Sequence, residues 1–249
     1  MTPDFKALTL SIQRCDAVYL PDANKAIETF QSLGSTNIVR FCTDDNQAIF
    51  HIDADGVPTL TDAGTRFTDG TLMEKICDVY QDIDCVPYDI GGDRHVAKRP
   101  FMDAYELYNW TKEQAQGRAF KIEGQSLGGW KPSYAGSYLP LEQIISLNVW
   151  DSPLQGDAAW WQYMKDCGLL DKMQQMYNGR DPWALWPWNS DVLTKGPGQI
   201  LWTHDGIWEY VTADKLPKAD VWDMYDLPHY KDHDPSNIVT VYQALLQTA

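Results

Sequence analysis

Ser126 stands in Gly124-Gln-Ser126-Leu-Gly128-Gly129, directly after the alternating run Phe120-Lys-Ile-Glu123. Alternation of apolar and polar residues predicts a strand, and a serine flanked by glycine two positions away on each side predicts a nucleophile elbow. A hydroxyl attacks a carbonyl only when it stands clear of the sheet beside a base. A tight strand-to-helix turn achieves this where the neighbouring residues lack bulky side chains. The chemistry implied is acyl transfer through a serine ester.

Such a serine requires a base and an acid that orients the base. In the order Ser, acid, His used by α/β-hydrolases the base comes last, which leaves His204, His229 and His233, because His51 and His95 precede Ser126. His233 lies in Lys231-Asp-His-Asp-Pro235, just before an apolar closing helix, where a loop at the carboxyl edge of a sheet can bring an imidazole over the serine. It is the first choice, with His229 as the alternative base. By order alone Asp151 and Asp191 both serve as the acid.

The elements needed to position these groups follow from periodicity. A helix is predicted over 22–33, strands over 37–42, 48–53 and 57–62, and an amphipathic helix over 71–83, carrying Leu72, Met73, Ile76, Val79, Tyr80 and Ile83. A helix over 101–116 feeds the elbow strand, and Pro132 falls in the first turn of the next helix, where its missing N–H is tolerated. Strands follow over 144–150, 199–203 and 207–211, and a final helix begins near Asp234-Pro-Ser. Strand and helix alternate around the elbow. This predicts one α/β domain over 1–249, with a mostly parallel central sheet and helices on both faces. Six of the eleven tryptophans lie between Trp150 and Trp188, so 151–188 reads as a Trp-rich insertion, either packed in the core or forming a stacking or acyl-binding wall.

In several blocks the chain resembles the class 3 lipase family, the fungal triacylglycerol lipase type of α/β-hydrolase. Val57-Pro-Thr-Leu-Thr-Asp-Ala-Gly-Thr65 is similar to the family's strand ending in Arg-Gly-Thr or Arg-Gly-Ser, and the helix within 66–83 to its lid, with Asp82-Ile-Asp-Cys-Val-Pro behind it. His95 through Phe101 resembles its His-x-Gly-Phe segment, Ile145 through Pro153 its strand closing in Gly-x-Pro, and Asn189-Ser-Asp191-Val-Leu-Thr-Lys-Gly-Pro197 its acid-bearing block. The resemblance implies a triad of Ser126, Asp191 and His233, and an oxyanion hole from the Leu127 N–H and Thr65. It also implies a lid that opens at a lipid interface. Three departures stand out: Gln125 replaces the family's His, Ala63 replaces its Arg, and Trp130-Lys-Pro replaces its small residues after the second glycine.

Bulk properties narrow the partners. A formal charge of -15 and a pI near 4.5 argue against nucleic acid or an anionic membrane surface. Five cysteines without CxxC spacing read as reduced thiols, and no histidine pair has a zinc-ligand spacing with a carboxylate on a helix, so neither metal nor cofactor is expected. The N-terminus lacks a basic start followed by an apolar stretch, and no run approaches eighteen apolar residues. The chain is therefore read as soluble and cytoplasmic by default, with signal-independent export or incorporation into a larger particle left open. The expected activity is hydrolysis of lipid or other acyl esters. The alternatives are a carbohydrate acetyl esterase and a hydrolase fold kept as a non-catalytic binding or assembly module.

Overall fold

The computed structural model describes residues 2–43, 46–64, 85–187, 190–218 and 231–248. Thr65, the helix expected within 66–83, Trp188 and His229 lie outside the described residues.

Eight strands form one sheet: β1 (Thr36–Cys42), β2 (Gln47–Ile52), β3 (Pro58–Gly64), β6 (Phe120–Gln125), β7 (Ile144–Trp150), β8 (Met173–Asn178), β9 (Ile200–His204) and β10 (Ile207–Val211), in that spatial order. The run β3-β6-β7-β8-β9 is parallel, and β1, β2 and β10 join it antiparallel. A short hairpin, β4 (Pro87–Asp89) and β5 (His95–Ala97), lies apart from the sheet. The architecture is that of an α/β-hydrolase.

Alternation along β6 explains the layers. Phe120 and Ile122 point into an apolar core shared with α3 (Lys98–Ala115) and α4 (Trp130–Tyr138), through Leu107, Tyr108 and Ala135. Glu123 points to the other face and meets Arg14 of α1 (Phe5–Val18). On that face Phe5, Leu8, Ile12 and Cys15 recur at helical spacing and pack with Ile238 and Tyr242 of α6 (Pro235–Thr248) over Trp150, Met176 and Leu201. Asp4 caps α1 by accepting from the Ala7 N–H at 3.0 Å, and Asp22 caps α2 (Ala23–Ser32) in the same way.

The Trp-rich stretch is more than an elaboration on the core. It contains α5 (Ala158–Asp166) and the central strand β8, bonded to β7 on one side and β9 on the other. Trp150, Trp160 and Trp183 are fully buried, in agreement with the core-packing alternative. Parallel strands β6, β7 and β8 all end at one edge, so Ser126, Asp151 and the loop after Asn178 share that edge, where ligands of parallel sheets usually bind.

Candidate active site

Ser126 follows β6 with φ of 56°, a left-handed backbone rare for a residue with a Cβ. The chain turns at once into a short 3₁₀ segment, Ser126–Gly129, and then α4. The turn is so tight that a Cβ on Gly124 would lie 2.2 Å from the Gly128 carbonyl oxygen, and one on Gly129 would lie 2.6 Å from the Ser152 Cβ. The glycine spacing therefore has a steric cause.

Ser126 Oγ lies 2.6 Å from His233 Nε2, and His233 Nδ1 lies 2.6 Å from Asp181 Oδ2. A carboxylate only accepts, so Nδ1 carries the ring proton and Nε2 is free to accept from the serine hydroxyl. Asp181 is fully buried and His233 is 1% exposed. The carboxylate is held on its far side by the Trp183 N–H, which donates to Oδ1 at 2.9 Å, and its backbone carbonyl accepts from Tyr177 Oη at 2.8 Å. These bonds fix the direction in which Asp181 presents Oδ2.

The structure thus brings together Ser126 and His233 from the sequence reading and replaces the third residue. Asp191 is exposed on the loop before β9, while Asp181, ten residues earlier, occupies the imidazole's Nδ1. Both aspartates follow β8 in its connection to β9; Met173–Asn178 carries Gln174 and Gln175, so its apolar signal is weak, and the first carboxylate after that strand is the one that meets His233. The signal available was Asn178-Gly-Arg-Asp181-Pro182, a turn-forming cluster directly after that strand. Leu127, directly after the serine, is buried, and Trp130 is wholly buried and donates from Nε1 to the Leu154 carbonyl. His95 lies elsewhere, with its Nδ1 2.8 Å from Asp157, the residue capping α5.

Two further charged groups border the site. Asp151, directly after β7, is wholly buried with φ of 41°, and its Oδ1 accepts from the Asn178 N–H at 2.8 Å. Burial, and then the charge of Asp181, hold its carboxyl well above the usual carboxylate range. Lys195 donates from Nζ to the Ser152 carbonyl; desolvation brings its ammonium down to about 8 despite the pull of Asp151 and Asp181. On the other side, Lys131 Nζ lies 3.0 Å from Asp62 Oδ2, with side chains 3% and 0% exposed. This pair ties the helix after the elbow to β3. It joins two of the sequence departures, since Lys131 belongs to Trp130-Lys-Pro and Asp62 adjoins Ala63.

Among the described residues no group of three His, Cys, Asp or Glu could hold a metal ion, and no helix is long and apolar enough to cross a membrane. Cys15, Cys42, Cys85 and Cys167 are free thiols.

No protein-family model and no curated protein sequence matches the chain. Solved structures do. The fold is similar to that of a Rhizomucor miehei triacylglyceride lipase, at 18% identity and a TM-score of 0.62 over 90% of this chain and 94% of that one. It is also similar to a Penicillium cyclopium protein, at 13% identity and a TM-score of 0.64 over 94% and 96%, and to a Yarrowia lipolytica lipase, at 11% identity and a TM-score of 0.63 over 94% of each chain. The chain therefore has the fold of the fungal lipases, at the identity of a distant relative.

Proposed function

We propose that this chain with a fungal-lipase fold is a serine hydrolase that cleaves carboxylic esters through an acyl-enzyme. The observation that carries the reading is the chain Ser126 Oγ, His233 Nε2, His233 Nδ1, Asp181 Oδ2, with 2.6 Å at each bond, starting from a serine with left-handed backbone at the end of a central strand. In the proposed cycle His233 Nε2 takes the Ser126 proton as Oγ bonds to the ester carbonyl carbon. Asp181 holds the imidazolium that forms, and His233 then passes the proton to the departing alcohol oxygen. Water repeats the sequence on the acyl-serine, releasing the acid and restoring the hydroxyl. The Leu127 N–H and Thr65 are the proposed donors to the oxyanion, each typically worth about 3 kcal/mol in the transition state. No step requires a cofactor.

Acyl esters of lipids are the proposed substrate class, supported by the fold shared with a triacylglyceride lipase. Hydrolysis of p-nitrophenyl acetate, butyrate and palmitate, measured for wild type and Ser126→Ala, tests activity and ranks acyl length together. Turnover that is abolished in Ser126→Ala, with an organophosphonate labelling Ser126 in the wild type alone, supports the reading. A folded wild type that neither turns over an ester nor takes the label overturns it in favour of a binding module.

A further inference from the structure

Gln125, the variable residue between Gly124 and Ser126, is 1% exposed at the end of β6. Its amide is used at both ends. Nε2 donates to the backbone carbonyl of His233 at 3.0 Å, and Oε1 accepts from Tyr19 Oη at 2.8 Å. Tyr19 is the residue that closes α1. The His233 carbonyl only accepts and so takes the NH2 end of the amide, which leaves Oε1 to the Tyr19 hydroxyl. The rest of the His233 segment is held from the end of β8 and the turn after it: Asn178 Nδ2 donates to the Asp232 carbonyl at 2.9 Å, and the Arg180 N–H donates to Asp232 Oδ2 at 2.8 Å.

We infer that Gln125 is a positioning residue for His233, fixing the height of the imidazole over Ser126 through the His233 carbonyl, with Tyr19 holding the other end of the amide. The inference rests on the proposed role of the Ser126, His233 and Asp181 chain. His233 must meet two partners on opposite sides of one ring, so a shift of its backbone lengthens one bond as it shortens the other. The strand that carries the serine therefore also carries the anchor of the base, and serine and base move as one unit. Gln suits the position because it has a donor and an acceptor at its tip, and an aliphatic side chain of equal length has neither. The bond to His233 is buried and the bond to Tyr19 is partly so, which limits competition from water.

The test is Gln125→Met, which keeps the length of the side chain, with Tyr19→Phe as a milder variant that leaves the Gln125 donor in place. Two readouts are taken on folded protein: kcat and KM for a p-nitrophenyl ester, and the downfield proton resonance of His233 Nδ1–H, assigned by its loss in His233→Ala. Gln125→Met is expected to lower kcat about tenfold to a hundredfold, the scale of a small misplacement of a reacting group, with KM within about twofold and the resonance broadened. Tyr19→Phe moves both readouts in the same direction by less, and it decides the matter if Gln125→Met does not fold. Wild-type kcat and an unchanged resonance in the folded variants overturn the inference. A wild type without ester turnover defeats the hydrolase proposal alone, because the resonance still reports whether Gln125 holds His233.

Discussion

Strand β6 touches two trios of the same chemical types, an acid, a hydroxyl and an imidazole, three residues apart. At its end His233 sits between Asp181 and Ser126, 2.6 Å from each. On its α1-facing side the hydroxyl is in the middle: Thr61 Oγ1 lies 3.3 Å from Glu123 and 3.3 Å from His51 Nε2. The acid of that second trio is already engaged, since Arg14 donates to both oxygens of Glu123 at 2.9 and 2.5 Å. An imidazole between acid and hydroxyl can take a proton from one side while its new charge is held on the other. A hydroxyl between acid and imidazole cannot do this. Order and engagement, not composition, separate a site from a structural network, and the second trio joins α1 to the sheet.

This contrast can be broken most severely at the base. His233→Ala is expected to lower kcat/KM about 10⁴-fold or more in protein that still folds, measured by ester hydrolysis beside thermal melting. In the core trio the expectation reverses. Burial pushes the Glu123 carboxyl up, yet the charge and hydrogen bonds of Arg14 more than offset this and leave it below the ordinary range. Its contribution is therefore present at neutral pH and lost as pH falls through the depressed value. Arg14→Met leaves Glu123 buried without its cation and is expected to cost about 3–5 kcal/mol in urea unfolding. The kcat of the folded enzyme should be unchanged.

His51 sharpens the same contrast. Burial holds its pKa down to about 4 from an ordinary 6.5, although Glu123 pulls the other way. Between those values the unfolded chain binds a proton that the folded chain refuses, so falling pH favours unfolding across that window. Asp16 titrates oppositely: burial, and then Asp234, raise it to about 6, which adds stability as pH falls. The useful quantity is therefore a difference. The stability of His51→Gln relative to wild type should improve by on the order of 3 kcal/mol as pH drops from 6.5 to 4. A flat difference would mean that His51 is protonated in the fold. The smallest effect is expected at Asp151. Burial and the charge of Asp181 disfavour its ionised form, and an amide oxygen can still accept from the Asn178 N–H, so Asp151→Asn should keep kcat within about threefold and leave the melting temperature unchanged or higher.

Some of this was legible in the residues. The elbow was, because a Cβ on Gly124 collides with the Gly128 carbonyl and the spacing records that collision directly. The place of His233 beside Ser126 was, because it directly precedes the closing helix, although 231–233 is helical and not the loop expected. The carboxylate beside His233 was not. Gln174 and Gln175 interrupt the apolar signal of β8, so nothing local marks Asp181, just after that strand, above Asp191 ten residues further along the same connection. Helix α1 also went unread, although Leu8, Ile12 and Cys15 hold its spacing, because the buried Arg14 on the same element finds its reason only in Glu123, 109 residues away. Pairings of that range leave no local periodicity. The pairing of β2 with β3 is local by contrast: Asp55-Gly56 turns the chain between two strand-like runs that pair antiparallel.

The most direct test compares two aspartates ten residues apart. Asp181→Asn and Asp191→Asn, each confirmed folded by circular dichroism, are assayed for kcat/KM on p-nitrophenyl butyrate beside wild type and Ser126→Ala. A loss of about 10⁴-fold in Asp181→Asn, with Asp191→Asn within about twofold of wild type, is the predicted result. Wild-type activity in a folded Asp181→Asn would contradict it, and with it the assignment of Ser126, His233 and Asp181 as the working chain.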